Sequence, residues 1–149
     1  MNKGFDLPLL LMSFVLPVCL WVIIMALVSI AGGWSTLATR FRTDRPFPDT
    51  SWSWQSAYLR YRVHYGSCLV VGSNHEGLFL RTFWMVRFRH PPLFIPWSEI
   101  SLTTSQSWLL GQVGRFTLGR EAQIPFTVGT TLLKRIQQAA GDLTPVTTL

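Results

Sequence analysis

The chain is short of almost everything that catalysis and covalent cross-linking draw on. It has two cysteines in 149 residues. Cys19 falls inside the long apolar run at the start and Cys68 outside it, so no disulfide within a folded domain is available. The three histidines, His64, His75 and His90, stand at no metal-ligand spacing from one another or from a cysteine. Acidic residues number only seven, and Asp44, Asp49, Glu76, Glu99, Glu121 and Asp142 are scattered over loops and turns without a close pair to divide general acid and base work. No serine occupies a nucleophile elbow, and no glycine pattern could cradle a phosphate. The sequence therefore reads as non-enzymatic, with no cofactor and no metal.

Charge is missing altogether from residues 7–31, a run of 25 residues. As a helix rising about 1.5 Å per residue it extends roughly 37 Å, enough to cross a hydrocarbon core of about 30 Å. We expect a single transmembrane helix over 7–31 behind a short tail, 1–6, with Pro17 kinking it. The alternative is a cleaved secretory signal, for which Ser29-Ile30-Ala31 would serve as the small-x-small site. Such signals usually carry an apolar core of about 7–15 residues behind a basic start, whereas here Lys3 is offset by Asp6.

What the chain does have is arginine. Eleven arginines and two lysines give a formal net charge of +6. Nucleic-acid motifs are lacking, and a protein fixed beside an anionic leaflet has its own reason to be basic. Arg40, Arg42 and Arg45 follow the span closely, which by the positive-inside bias puts the N-terminus outside and the remainder in the cytoplasm. Within "GGWSTLATRFR", Trp34, Leu37, Ala38 and Phe41 recur at helical spacing, predicting a short helix at the interface with Trp34 at headgroup depth. "TDRPFPDT", with two prolines and two aspartates, cannot sustain a regular element and closes a juxtamembrane segment, 32–50.

From residue 51 the texture becomes β. "SWSWQSAYLRY" alternates Trp52, Trp54, Ser56 and Tyr58 against Ser53, Gln55 and Ala57, a first strand. "SCLVVGSNHEGLFLRTF" gives two apolar runs about a turn in which Gly77 is available for a positive φ. "FWMVRFRHPPLFIPW" reads as a strand pair turning at His90-Pro91-Pro92. In the second of that pair Pro96 has no N–H, so its strand must be an edge or carry a bulge, and resetting parity there lets Ile95, Trp97 and Ile100 all face the core. "SEISLTTSQSWLL", "GRFTLG" and "AQIPFTVG" supply further strands. Leu132, Leu133, Ile136 and Ala140 then mark one face of a helix that Gly141 would cap. The fold class is α+β: about seven antiparallel strands in a curled sheet or barrel, capped by a C-terminal helix.

The run of "EGLFL", "PLFIPWSEI", "RFTLG", "IPFTV" and "TTLLKRIQQA" resembles the pleckstrin-homology-like and GRAM-like domains, over roughly residues 52–141. One membrane helix ahead of such a domain resembles small bacterial membrane proteins that carry no assigned activity. The resemblance implies a PH-like domain over 51–149 at the bacterial inner membrane. It also implies a basic pocket near the first two strands, where Arg60-Tyr61-Arg62 stands, although no lysine lies just upstream.

The candidate contacts for an acidic membrane surface or a partner protein are Trp34, Arg40, Arg42, Arg60, Arg62, Arg81, Arg87 and Arg89. An uninterrupted strand over 77–89 would put Phe79, Arg81, Phe83, Met85, Arg87 and Arg89 on one face, a mixture of apolar and guanidinium groups suited to lipid or protein. The function expected is a membrane-anchored interaction module. The alternative is an exported β-domain that is released by cleavage and binds a ligand outside the cytoplasm.

Overall fold

The computed structural model describes residues 6–60, 63–107 and 111–141. The uncharged run forms one helix, α1 (Leu7–Ala31), which continues through Pro17. Leu7, Phe14, Leu20, Ile23 and Leu27 are all well exposed. A helix apolar on every side and uncovered by protein needs an apolar medium. Among the described residues it is the one helix long and apolar enough to cross a membrane, a test that a signal sequence also passes.

After Gly32, Gly33 turns the chain at φ +78°, and α2 (Trp34–Phe41) follows. The apolar face expected of this helix is present, but it meets protein. Trp34 and Leu37 are fully buried and Phe41 nearly so, within the same core as the sheet. Trp34 is thus covered by protein instead of facing headgroups as expected, because a face of two large aromatics and a leucine covers apolar strand residues beside it. By packing, α2 belongs with the domain and the junction falls at the two glycines. In the following segment Phe47 and Pro48 are half-buried, with the Phe47 ring 5.6 Å from that of Phe79.

Seven strands follow: β1 (Ser51–Leu59), β2 (Val63–Ser73), β3 (Gly77–Thr82), β4 (Leu93–Pro96), β5 (Ile100–Ser107), β6 (Gly111–Leu118) and β7 (Ile124–Gly129). All pairings are antiparallel, in the order β4-β3-β2-β1-β7-β6-β5. The two edge strands, β4 and β5, are joined by a single 3₁₀ turn, Trp97–Glu99. A twisted sheet whose edges are consecutive in sequence must curl on itself, giving a nearly closed barrel. Helix α3 (Thr130–Ala140) packs against β2, β6 and β7, burying Leu132, Leu133, Ile136 and Ala140, and Gly141 caps it at φ +67°.

Pro96 lies at the end of edge strand β4, opposite Gly77, so its missing N–H removes no interior ladder bond. The 3₁₀ turn then resets parity, and Ile95, Trp97 and Ile100 are all buried, as the sequence pattern requires. Other expectations are corrected. Gly77 has no positive φ; it is needed because a Cβ there would run into the Ile95 carbonyl of β4. The turn is shaped instead by Asn74, whose Oδ1 accepts the N–H groups of Glu76 and Gly77 at 2.9 and 3.1 Å. In β1 the alternation breaks at Trp54, which sits at φ +58° within the register shift between Trp52 and Gln55. Ala57 and Leu59 face the core beyond it, leaving Trp54 and Tyr58 exposed.

Candidate functional site

The expected strand over 77–89 stops at Thr82. Residues 83–92 form a loop with a 3₁₀ turn at Trp84–Val86, so no single face unites Phe79 with Met85 and the three arginines. Phe79 is buried against the rings of Phe47 and Phe94. The cause lies at the end of the loop: Pro91 and Pro92 can donate no backbone hydrogen bonds, so this chain segment cannot serve as a ladder partner to β3.

Its carbonyls are held from outside instead. Ser29, in the last turn of α1, is fully buried and donates its hydroxyl to the Arg89 carbonyl at 2.8 Å. The indole N–H of Trp34 donates to the Pro91 carbonyl at 3.0 Å, and the Thr43 N–H to that of Pro92, also at 3.0 Å. His90 is fully buried between the rings of Trp34 and Tyr65, at 5.3 and 5.6 Å. The Phe88 carbonyl can only accept, so the 2.9 Å contact to it makes His90 Nδ1 the donor. The neutral ring then presents Nε2 as acceptor for the Tyr65 hydroxyl, 3.0 Å away. Burial lowers the His90 pKa, against the opposing effect of hydrogen bonds to backbone carbonyls. Burial likewise pushes the Tyr65 hydroxyl well above its ordinary value. Both rings are therefore neutral, as their hydrogen bond demands.

Beyond this fastening the loop is open. Trp84 is 80% exposed, Met85 58% and Phe88 44%, and Trp54, 70% exposed, lays its ring 4.4 Å from that of Phe83. Arg87 and Arg89 are exposed among them. Arg89 and Trp54 both hold positive φ, each +58°, a conformation that costs a side-chain-bearing residue about 1–2 kcal/mol. Beside the loop lies a cleft of about 530 Å³ whose walls include Asp44, Arg45, Arg81, Arg87 and Trp84. Arg81 stacks over Phe47 at 4.6 Å and Arg45 over Phe94 at 4.9 Å. Arg45 also pairs with Glu76 at 3.1 Å.

The remaining candidates separate. The Arg60 side chain reaches the α1–α2 junction, where a Cβ on Gly33 would stand 2.9 Å from its Nε. Arg40 is committed to Glu121 at 2.9 Å and lies 3.9 Å from Glu99. Glu99 also accepts the Arg120 backbone N–H at 3.0 Å. Arg42 is exposed, its backbone bridged to Leu93. Arg62 lies outside the described residues. The structure thus brings Arg60 and Arg89 toward the end of α1, leaves Arg87 on the wall of the cleft, removes Trp34 into the core and turns Arg40 to an ion-pair network. Sequence reasoning missed Ser29, Tyr65 and His90. The available signal was a polar residue in an otherwise apolar last turn, together with two prolines whose neighbouring carbonyls needed donors.

No group of three metal-ligating side chains converges among the described residues. The fold and this site define a class: an apolar N-terminal helix built into an α+β near-barrel, with basic and aromatic side chains at the junction. Comparisons with protein families, with curated proteins and with solved structures return no match.

Proposed function

We propose that the protein is a membrane-anchored, non-catalytic interaction module whose near-barrel is pleckstrin-homology-like and engages acidic lipid headgroups. The observation that carries this reading is the placement of arginines from two separate elements at one end of α1. Arg60 comes from the β1–β2 turn and reaches Gly33, while Arg89 comes from the 83–92 loop and is tied through its carbonyl to Ser29. A cation beside an anionic leaflet gains about 1 kcal/mol, and several on one face orient a domain. The strand order followed directly by α3 supports the pleckstrin-homology-like assignment. Following the charge bias and the resemblance, we place the protein in a bacterial inner membrane with the domain in the cytoplasm.

Retention of α1 is favoured over release of the domain. Cleavage after Ala31 would remove Ser29 from the Arg89 carbonyl and would have to occur immediately before Gly32, Gly33 and Trp34, which are all buried. The test is the intact mass of the chain recovered from alkali-washed membranes, followed by hydrogen exchange of the full chain in nanodiscs. We expect an unshortened chain, and slower exchange at Arg60 and Arg89 when phosphatidylglycerol is added to phosphatidylcholine, the slowing fading at high salt. A chain lacking residues 1–31 would favour the exported domain; exchange indifferent to lipid charge would remove the headgroup reading.

A further inference from the structure

We infer that the 83–92 loop is a membrane-inserting wedge, which seats Trp84, Met85 and Phe88 in the interfacial zone of the bilayer that α1 crosses. This rests on the membrane-anchored reading of α1. Three observations carry it.

The first is continuity. The loop is fastened to the last turn of α1 by the Ser29 hydroxyl on the Arg89 carbonyl, and to the start of α2 by Trp34 on Pro91. A loop pinned to the final turn of a spanning helix stands where the hydrocarbon gives way to headgroups, a zone several ångströms deep. The second is composition. The described residues outside α1 include five large apolar side chains exposed beyond two fifths or at that level: Trp54, Tyr58, Trp84, Met85 and Phe88. Three of them belong to this loop, and Trp54 lies against its Phe83. Tryptophan, methionine and phenylalanine beside Arg87 and Arg89 match a boundary with apolar chains on one side and anionic groups on the other. The third is fixation. Arg89 and Trp54 are both held at positive φ, and the loop's carbonyls are bonded by partners from three other elements, so these side chains are presented outward by a braced backbone. The occupant that fits is the bilayer itself, since the loop that carries these apolar side chains is fastened, through the Ser29 hydroxyl on the Arg89 carbonyl, to the last turn of a helix whose apolar surface is uncovered.

The experiment places a photoreactive p-benzoylphenylalanine at single positions of the full-length chain in phosphatidylcholine–phosphatidylglycerol vesicles. The positions are Trp84, Phe88, Ile23 and Gln138, all of them exposed or partly exposed side chains, so the barrel is left intact. Adducts are read by mass after irradiation. We expect lipid adducts at 84 and 88 comparable to those at 23 and severalfold above those at 138. Lipid adducts at 23 with none above the 138 background at 84 and 88 would overturn the wedge while leaving the anchor standing. Cross-links from 84 to a second copy of the chain would overturn it in favour of a protein contact. If 23 also fails to capture lipid, the anchored reading falls and the wedge with it.

Discussion

Replacing Trp34 by phenylalanine separates a helix packed in the barrel from a helix resting on the membrane. In the packed arrangement the indole is fully buried, its N–H is 3.0 Å from the Pro91 carbonyl, and its ring lies 5.7 Å from Tyr65 and 5.3 Å from His90. Phenylalanine keeps much of the ring volume but removes the donor, leaving the Pro91 carbonyl without this partner, at about 1–3 kcal/mol. The missing part of the indole leaves a small void that adds about 1 kcal/mol. A total of roughly 2–4 kcal/mol lowers the Tm of a domain of this size by about 8–16 °C, at roughly 4 °C per kcal/mol. The assay is thermal melting of the full chain in detergent, followed by near-ultraviolet circular dichroism, with Trp84→Phe as control. Trp84 is 80% exposed, and its replacement is expected to move stability by less than about 0.5 kcal/mol. If the two variants melt together, within about 2 °C, Trp34 is not a core residue and α2 does not pack against the barrel.

The neutral state of His90 makes folding pH-sensitive with a definite sign. Its folded pKa is lowered by burial from 6.5, so the unfolded chain takes the proton more readily; the contribution is complete above 6.5 and is lost as pH falls from there toward the folded value. Melting curves from pH 8 down to about 5 should show a falling Tm, and His90→Gln should flatten that slope. Gly77→Ala forces a Cβ onto the Ile95 carbonyl of β4 and should cost about 1–3 kcal/mol as overpacking, measurable by urea unfolding. Gly33→Ala meets both a φ of +78° and the Ile124 side chain at 2.6 Å, so a loss of at least about 1–2 kcal/mol is expected from the left-handed backbone alone. Arg40→Ala should cost less than about 1 kcal/mol, because its pairs with Glu121 and Glu99 lie at a half-exposed surface; a larger loss would mean that the network organises the β4–β5 turn.

Periodicity and turn chemistry made much of this molecule legible before any coordinates. The uncharged run, the Pro96 edge, the parity reset through Trp97 and the capped amphipathic α3 each follow from one local rule, because each is decided by residues a few positions apart. The failures share a different cause. A helix with Trp34, Leu37 and Phe41 on one face must cover something apolar, and sequence cannot say whether that is lipid or protein. Likewise a bulge at Trp54 leaves no mark in the alternation "SWSW", since the residue that shifts parity is itself one of the alternating set.

The site illustrates the limit most sharply, because its parts are far apart in the chain. Ser29 and Arg89 are 60 positions apart and Trp34 and Pro91 are 57 apart, and neither contact alters a local pattern. What the sequence did hold was an imbalance: two adjacent prolines in a β context donate nothing, yet the carbonyls around them still require donors. The donors come from outside the strand pair, a serine hydroxyl in the last turn of α1 and an indole N–H at the start of α2. The consequence is mechanical. The same hydrogen bonds that replace a missing ladder also join the last turn of α1 to the barrel, so the orientation of the domain relative to its helix is set by Ser29, Trp34 and His90. Ser29→Ala leaves the Arg89 carbonyl without its hydroxyl donor and should loosen that joint first, raising hydrogen exchange at residues 84–90 severalfold while the β5–β6–β7 ladder keeps its protection. Equal acceleration in both regions would instead mean that the joint and the barrel open as one unit.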